Sequence, residues 1–265
     1  MNGRAAFAGR CPRWVDVPRA ARRLLPWLRA TPLLLFDFDG TLVPLQAQRD
    51  AVVLSMPVRI DLRRLARRWP VAVVSGRGLA DLRARLGRGP WRTYGSHGAE
   101  GMGGALARRA RSAFATTRQW CEAHRGELVR AGLDWEDKVC CAALHAAPGV
   151  DLAAAKQALR AAGIGASIRI EAGHRVLNLT AAGQPNKGDA ARHALRSSKS
   201  SALLAWGDDS NDEPAFEVAR RRGTAFRIGA ALGVSSAVWR LEDCRAVHRL
   251  LRRLGHLRTA RPRRA

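Results

Sequence analysis

Lysine and acidic residues are scarce in this chain of 265 residues. Only four of its 46 basic side chains are Lys, so 42 are Arg, and the 22 acids leave a formal net charge of +24. The five cysteines are an odd number without Cys-x-x-Cys spacing, so neither a disulfide framework nor a zinc site is predicted. No apolar run is long enough to span a bilayer, and the first residues lack the apolar block of a secretory signal. We therefore expect a cytoplasmic protein without a membrane partner.

The positive charge is concentrated toward the two ends of the chain. Residues 1–30 carry seven Arg and one Asp, and residues 244–265 carry eight Arg and no acid. Such segments are either solvated helix faces or surfaces for a polyanion such as nucleic acid. We favour solvated faces. The alternative of another class is a nucleic-acid-binding protein that uses its Arg-rich tails on an inactive scaffold.

Several common catalytic signatures are also missing. The chain has no Gly-x4-Gly-Lys-Ser/Thr loop, no Gly-x-Gly-x-x-Gly, no His-Glu-x-x-His and no Cys-x5-Arg. What it has is a short apolar run, 33–36, between Pro32 and Gly40, followed by Asp37 and Asp39. This run predicts a buried strand that delivers two carboxylates to a corner. The pair repels itself, so it implies a cation, a shared proton or an anionic substrate held by a metal.

A second acidic cluster follows a second apolar run. Residues 202–206 predict a strand, and Asp208, Asp209 and Asp212 come just after it. In an open parallel sheet the carboxyl ends of the strands meet at one edge, which is where ligands bind. Five carboxylates at two such ends run against the basic composition. An oxygen-rich site of this type suits Mg²⁺, which we therefore predict as the cofactor.

Two further element ends carry groups that suit a phosphate. Ser75 follows a predicted strand at 71–74 and places a hydroxyl donor near Arg77. Lys187 begins a predicted helix, where backbone N–H groups and the helix dipole also favour an anion. The ends of different elements thus supply a nucleophile, an acid or base, a hydroxyl donor, an ammonium group and a metal site.

The order of the predicted elements indicates an α/β protein, with a Rossmann-like parallel sheet as the core and a smaller α+β domain inserted in it. Strands at 33–36, 71–74 and 91–94 alternate with helices at 59–69 and 79–86, a pattern typical of right-handed crossovers. The pattern then changes to a helix at 112–131, a strand at 139–144, a helix at 152–162 and a hairpin at 167–180. We predict a basic N-terminal lead-in (1–30), a core (31–105 and 182–254), an insert (106–181) and a basic C-terminal tail (255–265).

Four motifs in chain order resemble those of the haloacid dehalogenase-like phosphatases. They are Asp37-Phe-Asp-Gly-Thr41, Ser75, Lys187 and Gly207-Asp-Asp-x-x-Asp212. Finer features are similar to the trehalose-6-phosphate phosphatase family of that superfamily. These features are Ser75-Gly-Arg77, Gly95-Ser-His-Gly-Ala-Glu100, Glu136-Asp-Lys138 with Leu144-His145, Gly173-His-Arg-Val-Leu177 and Asn186-Lys-Gly188.

The resemblance implies a Mg²⁺-dependent phosphatase that converts trehalose 6-phosphate, a small-molecule substrate, to trehalose and phosphate in trehalose biosynthesis. It implies that residues 31–105 and 182–254 are the catalytic core and that the α+β insert, residues 106–181, is the cap domain of the family. It implies that Asp37 attacks phosphorus and forms an aspartyl-phosphate. It also implies that Asp39 is the acid and base and binds Mg²⁺ through its backbone carbonyl. By the same resemblance the other metal residues are Asp208, Asp209 and Asp212, the phosphoryl group is held by Gly40, Thr41, Ser75 and Lys187, and the remaining substrate contacts are Arg77, His97, Glu100, Lys138 and His145.

The sequence departs from the family at several positions. Ala146 and Ala147 stand where the family has an aromatic residue and an Arg, Asn178 where it has a Glu, and Asn211 where it has a Thr. These changes leave the residues of the predicted chemistry intact but alter the predicted contacts with a disaccharide. The alternative substrate is therefore another sugar phosphate, such as sucrose 6-phosphate or a hexose phosphate.

Overall fold

The computed structural model describes residues 10–45, 52–165, 167–173, 175–230 and 233–257. These residues form two β-sheets with helices packed on them. The strands are β1 (Arg13–Trp14), β2 (Leu33–Asp37), β3 (Val71–Val74), β4 (Arg92–Tyr94), β5 (Leu133–Asp137), β6 (Cys141–Ala146), β7 (Ile168–Gly173), β8 (Val176–Ala181), β9 (Leu203–Gly207), β10 (Gly223–Ile228) and β11 (Trp239–Leu241). The helices are α1 (Val17–Leu28), α2 (Met56–Ala66), α3 (Leu79–Leu86), α4 (Gly104–Ala123), α5 (Arg125–Arg130), α6 (Leu152–Ala161), α7 (Lys187–Ser198), α8 (Glu213–Arg222) and α9 (Cys244–Gly255).

Seven strands form one parallel sheet in the order β1-β11-β10-β9-β2-β3-β4. Strands β9 and β2 lie side by side in a register that pairs Trp206 with Phe36, and β2 pairs with β3 as far as Asp37 and Val74. The carboxyl ends of these three strands therefore reach the same edge. This arrangement confirms the predicted parallel sheet and brings the two acidic corners together.

The side chains of β2 alternate between the two faces of this sheet. Leu34 and Phe36 pack in the layer that holds α1, α2 and α9, whereas Leu33 and Leu35 pack in the layer that holds α7 and α8. Because helices cover both faces, the strand is apolar from Leu33 to Phe36, up to its final residue. The rings of Phe36 and Trp206 stack with their centroids 4.6 Å apart, which ties the two central strands together on one face.

The first described residues are part of this core. Strand β1 pairs with β11, and α1 packs against α9, near the other end of the chain. Asp16 caps α1 by accepting a hydrogen bond from the N–H of Arg19 at 2.7 Å. Residues 13–28 thus pack with the core through partners that are distant in sequence, and the boundary of the lead-in, 1–30, stays a prediction. Residues 258–265 of the predicted tail lie outside the described ranges.

The second sheet is antiparallel and has the order β5-β6-β8-β7. Helices α4 and α6 pack on one of its faces, around an apolar cluster that includes Phe114, Leu144 and Leu177. Strand β5 was not predicted, since its charged residues Asp134 and Glu136 are more typical of a loop. The sheet and its helices fall within the predicted cap except for the first two residues of α4, and we retain the predicted boundaries as a proposal.

The first cap helix differs from its prediction. Instead of one helix over 112–131, the structure has α4 and α5, which meet at His124. His124 has φ and ψ of −102° and 17°, which lie outside the helical range and end α4, although its N–H still donates to the carbonyl oxygen of Trp120 at 3.0 Å. No helix within the described ranges is long and apolar enough to cross a membrane.

Candidate active site

Lys187 occupies the centre of the site. Its Nζ donates hydrogen bonds to Asp37 Oδ1 at 2.7 Å and to Asp212 Oδ1 at 2.6 Å, and all three side chains are buried. Burial alone would lower the pKa of Lys187, but the charges of Asp212 and Asp37 raise it above its ordinary value. The lysine therefore stays protonated, and it links the corner after β2 to the corner after β9.

The start of α7 holds Lys187 in this position. Asn186 caps the helix by accepting hydrogen bonds from the N–H groups of Gly188 and Asp189, and Asp189 accepts one from the N–H of Asn186. A Cβ atom at Gly188 would lie 2.7 Å from the carbonyl oxygen of Pro214. Glycine at this position therefore permits α7 to lie close to α8 and keeps Lys187 between the two acidic corners.

Three carboxylates surround one point. Asp37, Asp208 and Asp212 each offer an oxygen atom, and these atoms all lie within 4.8 Å of one another. Burial raises the pKa of Asp37 well above its usual value and the pKa of Asp208 to about 7, and repulsion from neighbouring carboxylates adds to both shifts. One ammonium group does not offset three carboxylates. The raised pKa values mean that full ionisation of the three groups calls for a further positive charge, and such a set of oxygen donors fits the predicted Mg²⁺.

The turn after β2 is built closely against Asp208. Gly40 has a φ of +78°, and a Cβ atom there would lie 2.1 Å from Asp208 Oδ2, so glycine is needed for conformation and for space. The N–H of Gly40 donates to the carbonyl oxygen of Val43 at 2.7 Å. This bond engages the Gly40 N–H within the turn, and its contact with a phosphoryl group stays a prediction. Thr41 is fully buried, and its hydroxyl finds no hydrogen-bond partner among the described residues.

The side chains of two predicted metal residues lie outside the cluster of three carboxylates. Asp39 accepts hydrogen bonds from Arg77 on both oxygens, from Nε at 2.8 Å and from Nη2 at 2.7 Å. Its predicted metal contact is the backbone carbonyl, which these bonds leave unaffected. Asp209 accepts hydrogen bonds from the N–H of Ser210 at 2.7 Å and from Asn211 Nδ2 at 3.1 Å, so it holds the loop after β9.

Ser75 and His97 face the cavity together. The N–H of His97 donates to the carbonyl oxygen of Ser75 at 2.9 Å, and His97 has a φ of +57°, which is unusual for this residue type. Burial, together with the charges of Lys187 and Lys138, lowers the pKa of His97 well below its usual value. Within the described ranges its Nε2 has no hydrogen-bond partner. The site therefore presents a neutral imidazole to the cavity.

Glu100 does not line the cavity, although the sequence predicted a substrate contact there. Its Oε2 accepts hydrogen bonds from Ser96 Oγ at 2.8 Å and from the N–H of Leu79 at 2.9 Å. Ser96 Oγ also lies 3.1 Å from the carbonyl oxygen of Lys138 in the cap. Glu100 thus fixes the turn that carries His97, because a buried carboxylate is stable only when its oxygens are bonded.

A cavity of about 380 Å³ lies between the carboxyl edge of the parallel sheet and the cap sheet. Lys138 and His145, both predicted to contact the substrate, line it. Glu136, which was not predicted as a site residue, lies between them. Its Oε2 is 2.7 Å from His145 Nε2 and 3.5 Å from Lys138 Nζ. The cap thus contributes an acid, an ammonium group and an imidazole to the cavity.

Two further cavity residues, Arg175 and Asn178, were also not predicted as site residues. The register of the cap sheet explains the position of Asn178, since Glu136 pairs with Ala143 and Ala143 pairs with Asn178. These residues form one row across three strands, on the face opposite the helices. Polar side chains at alternate positions of apolar strands are the sequence signal that would have indicated this face.

A sequence profile of the trehalose-phosphatase family matches residues 35–238 of the chain. The trehalose-phosphate phosphatase of Mycolicibacterium paratuberculosis is 37% identical over 204 residues, which cover 71% of this chain and 51% of that protein. The bifunctional trehalose-6-phosphate synthase/phosphatase of Thermoproteus tenax is 30% identical over 257 residues, which cover 90% of this chain and 33% of that protein. The chain thus spans about half the length, or less, of these curated relatives.

Solved structures share the fold. The C-terminal domain of a C. albicans trehalose-6-phosphate phosphatase superposes with a TM-score of 0.72 at 17% identity, covering 94% of this chain and 99% of that one. A sucrose-phosphatase from Synechocystis, solved with sucrose and phosphate, has a TM-score of 0.53 at 18% identity, covering 85% and 97%. Identities this low show the fold alone. The profile match spans both acidic corners, Ser75, Lys187 and the cap, and it shows that the chain belongs to the trehalose-phosphatase family.

Proposed function

We propose that the protein is a Mg²⁺-dependent phosphatase that hydrolyses trehalose 6-phosphate to trehalose and phosphate through an aspartyl-phosphate. The observation that carries the proposal is the position of Asp37. Its carboxylate is bonded to the buried ammonium group of Lys187 and lies within 4.8 Å of oxygens from Asp208 and Asp212, where it lines the cavity below the cap. Family membership supports the reaction and the substrate.

Each residue near the reacting atoms has a proposed task. An oxygen of Asp37 attacks phosphorus, and Asp39 donates a proton to the departing sugar oxygen and later accepts one from the hydrolytic water. Ser75 donates its hydroxyl to the phosphoryl group, and Lys187 holds Asp37 in place. Bound Mg²⁺, held by the side chains of Asp37 and Asp208 and the carbonyl of Asp39, would supply charge that offsets the phosphoryl oxygens.

The cap side of the cavity supports a sugar as the leaving group. Glu136, Lys138, His145 and Asn178 offer hydrogen-bond donors and acceptors at the cavity wall, which suits a molecule rich in hydroxyl groups. The core below supplies the phosphate chemistry. We propose that the cap, residues 106–181, selects the sugar and that the protein acts on this small-molecule substrate in the cytoplasm.

A phosphate-release assay on the purified full chain tests this function. We expect release from trehalose 6-phosphate with Mg²⁺ and none after chelation. Asp37→Asn should reduce release by more than about 10³-fold, because the nucleophile is lost. Glu217→Gln, an exposed carboxylate paired with Arg221, is the matched control and should retain activity. Full turnover by Asp37→Asn would refute the mechanism, and turnover of sucrose 6-phosphate or glucose 6-phosphate alone would refute the substrate.

A further inference from the structure

Asp39 is separated from the cluster of carboxylates although Asp37 is two residues away. Both of its side-chain oxygens are bonded to Arg77, in the forked geometry in which one guanidinium edge meets one carboxylate. The three carboxylates that converge within 4.8 Å do not include it. The Arg77 side chain is 8% exposed and the Asp39 side chain 31%, so the contact is partly buried and open toward the cavity on the Asp39 side.

Arg77 is in turn held by a residue of helix α3. Its Nη1 donates to Asp81 Oδ2 at 3.0 Å, and the other oxygen of Asp81 accepts from Arg85 Nε at 2.7 Å. Arg85 Nη1 donates to the carbonyl oxygen of Val52 at 3.1 Å. A row of side chains with alternating charge thus extends from the corner after β2 to helix α3, formed by Asp39, Arg77, Asp81 and Arg85. The backbone N–H of Arg77 also donates to Ser75 Oγ at 3.1 Å, which fixes both ends of the residue.

We propose that Arg77 is a positioning residue that keeps the Asp39 carboxylate out of the metal cluster and available for proton transfer, and that Asp81 holds Arg77 in that position. This role rests on the proposed phosphatase function. It replaces the substrate contact that the sequence predicted for Arg77, because its guanidinium is engaged by two carboxylates. The three carboxylates of the cluster, when ionised, carry more charge than the ammonium group of Lys187 offsets. The Asp39 carboxylate, as a fourth member, would be repelled there unless it bound the metal.

The forked contact leaves Asp39 able to react. A guanidinium that bonds both oxygens uses one lone pair on each, so each oxygen keeps a second one. In the first half-reaction, the bond from Asp37 to phosphorus forms as the bond from phosphorus to the sugar oxygen breaks, and the proton of Asp39 passes to that oxygen. In the second, Asp39 takes a proton from water as the water oxygen bonds to phosphorus and the bond to Asp37 breaks.

Leaving-group dependence tests the catalytic half of the proposal. A sugar alcohol needs a proton to depart, whereas p-nitrophenolate leaves without one. In single-turnover measurements of the first half-reaction, Arg77→Gln should lose about 10²-fold in rate on trehalose 6-phosphate and less than about tenfold on p-nitrophenyl phosphate, with KM for both nearly unchanged. Asp81→Asn should show the same pattern more weakly, and Arg77→Lys should recover part of the loss.

The control is Arg83→Gln. Arg83 is an exposed arginine of α3, the helix that carries Asp81, and its Nε donates to Thr93 Oγ1 at 3.0 Å. Arg83→Gln should leave the rates on both substrates unchanged. A raised KM and equal losses on both substrates in Arg77→Gln would identify Arg77 as a phosphate ligand and overturn the proposal. A lowered unfolding temperature with equal rate losses would show a merely structural role and overturn it as well.

Calorimetric titration with Mg²⁺ tests the structural half without any activity. Without Arg77 the Asp39 carboxylate is free to join the cluster, so Arg77→Gln should bind Mg²⁺ several-fold more tightly than the wild type, and adding Asp39→Asn should reverse the gain. Unchanged affinity in Arg77→Gln would contradict the proposal. If the wild type hydrolysed no sugar phosphate, the proposed function would fail, whereas this titration would still decide whether Arg77 keeps Asp39 from the metal.

Discussion

The two halves of the cavity are built on different principles. On the core side the charged groups that bond one another are buried, as Lys187 is with Asp37 and Asp212. On the cap side, polar groups stand in rows on an antiparallel sheet, where Glu136 is 40% exposed and contacts neighbours on its own sheet. A preorganised set of charges suits the chemical step, which is alike for all phosphate esters. A more open row of donors and acceptors suits the recognition of one sugar among many.

The largest expected effect comes from removing the ammonium group of Lys187, at the centre of the core side. Lys187→Met takes away the ammonium group that bonds the buried carboxylates of Asp37 and Asp212, so we expect a loss of about 3–5 kcal/mol in the free energy of unfolding without Mg²⁺. Urea denaturation measures this loss. Lys156→Met is the matched substitution on the cap, at an exposed position of α6, and should change stability by less than about 0.5 kcal/mol. Equal effects of the two substitutions would refute the contrast between the halves.

Two glycines with positive φ allow the effect of backbone strain on stability to be distinguished from an effect on activity. Gly40 and Gly149 have φ values of +78° and +85°, but a Cβ atom would meet Asp208 at Gly40 and nothing within 4 Å at Gly149. Alanine at either position should cost about 1–2 kcal/mol of stability through the left-handed backbone. Gly40→Ala should also lower kcat by more than about tenfold, since Asp208 must move. Comparable phosphatase activity in the two variants would show that Asp208 tolerates displacement.

The smallest effect is expected on the cap side. Glu136→Ala removes the group that contacts His145 and Lys138, and we expect KM for trehalose 6-phosphate to rise about tenfold with kcat within about threefold, because loss of a hydrogen bond to a charged group costs about 1.5–3 kcal/mol. Turnover of p-nitrophenyl phosphate, which carries no sugar, should be unchanged. Glu171→Ala is the control, since Glu171 pairs with Asn178 on the same sheet face but does not line the cavity. A fall in kcat on both substrates would place Glu136 in the chemical step.

Local patterns predicted the core more successfully than the cap. The strand Val71–Val74 and the helix Leu79–Leu86, which ends before Gly87, were predicted with the bounds that the structure has. Both segments carry their own signals, an apolar run and a helical spacing bounded by breakers. Strand β11, of three residues, carried no such signal, and its place is set by pairing with β10 and β1.

The sequence by itself determined that acids and a lysine stand at the ends of parallel strands and of a helix, because apolar runs and turn residues are local properties. Tertiary structure alone decided that Arg77 bonds Asp39, 38 residues away, and that Lys187 bonds Asp37, 150 residues away. It also decided that Glu136 and Asn178 share one row of the cap sheet. The physical reason is that such contacts depend on sheet register and helix packing, which arise from the whole core and from no single segment.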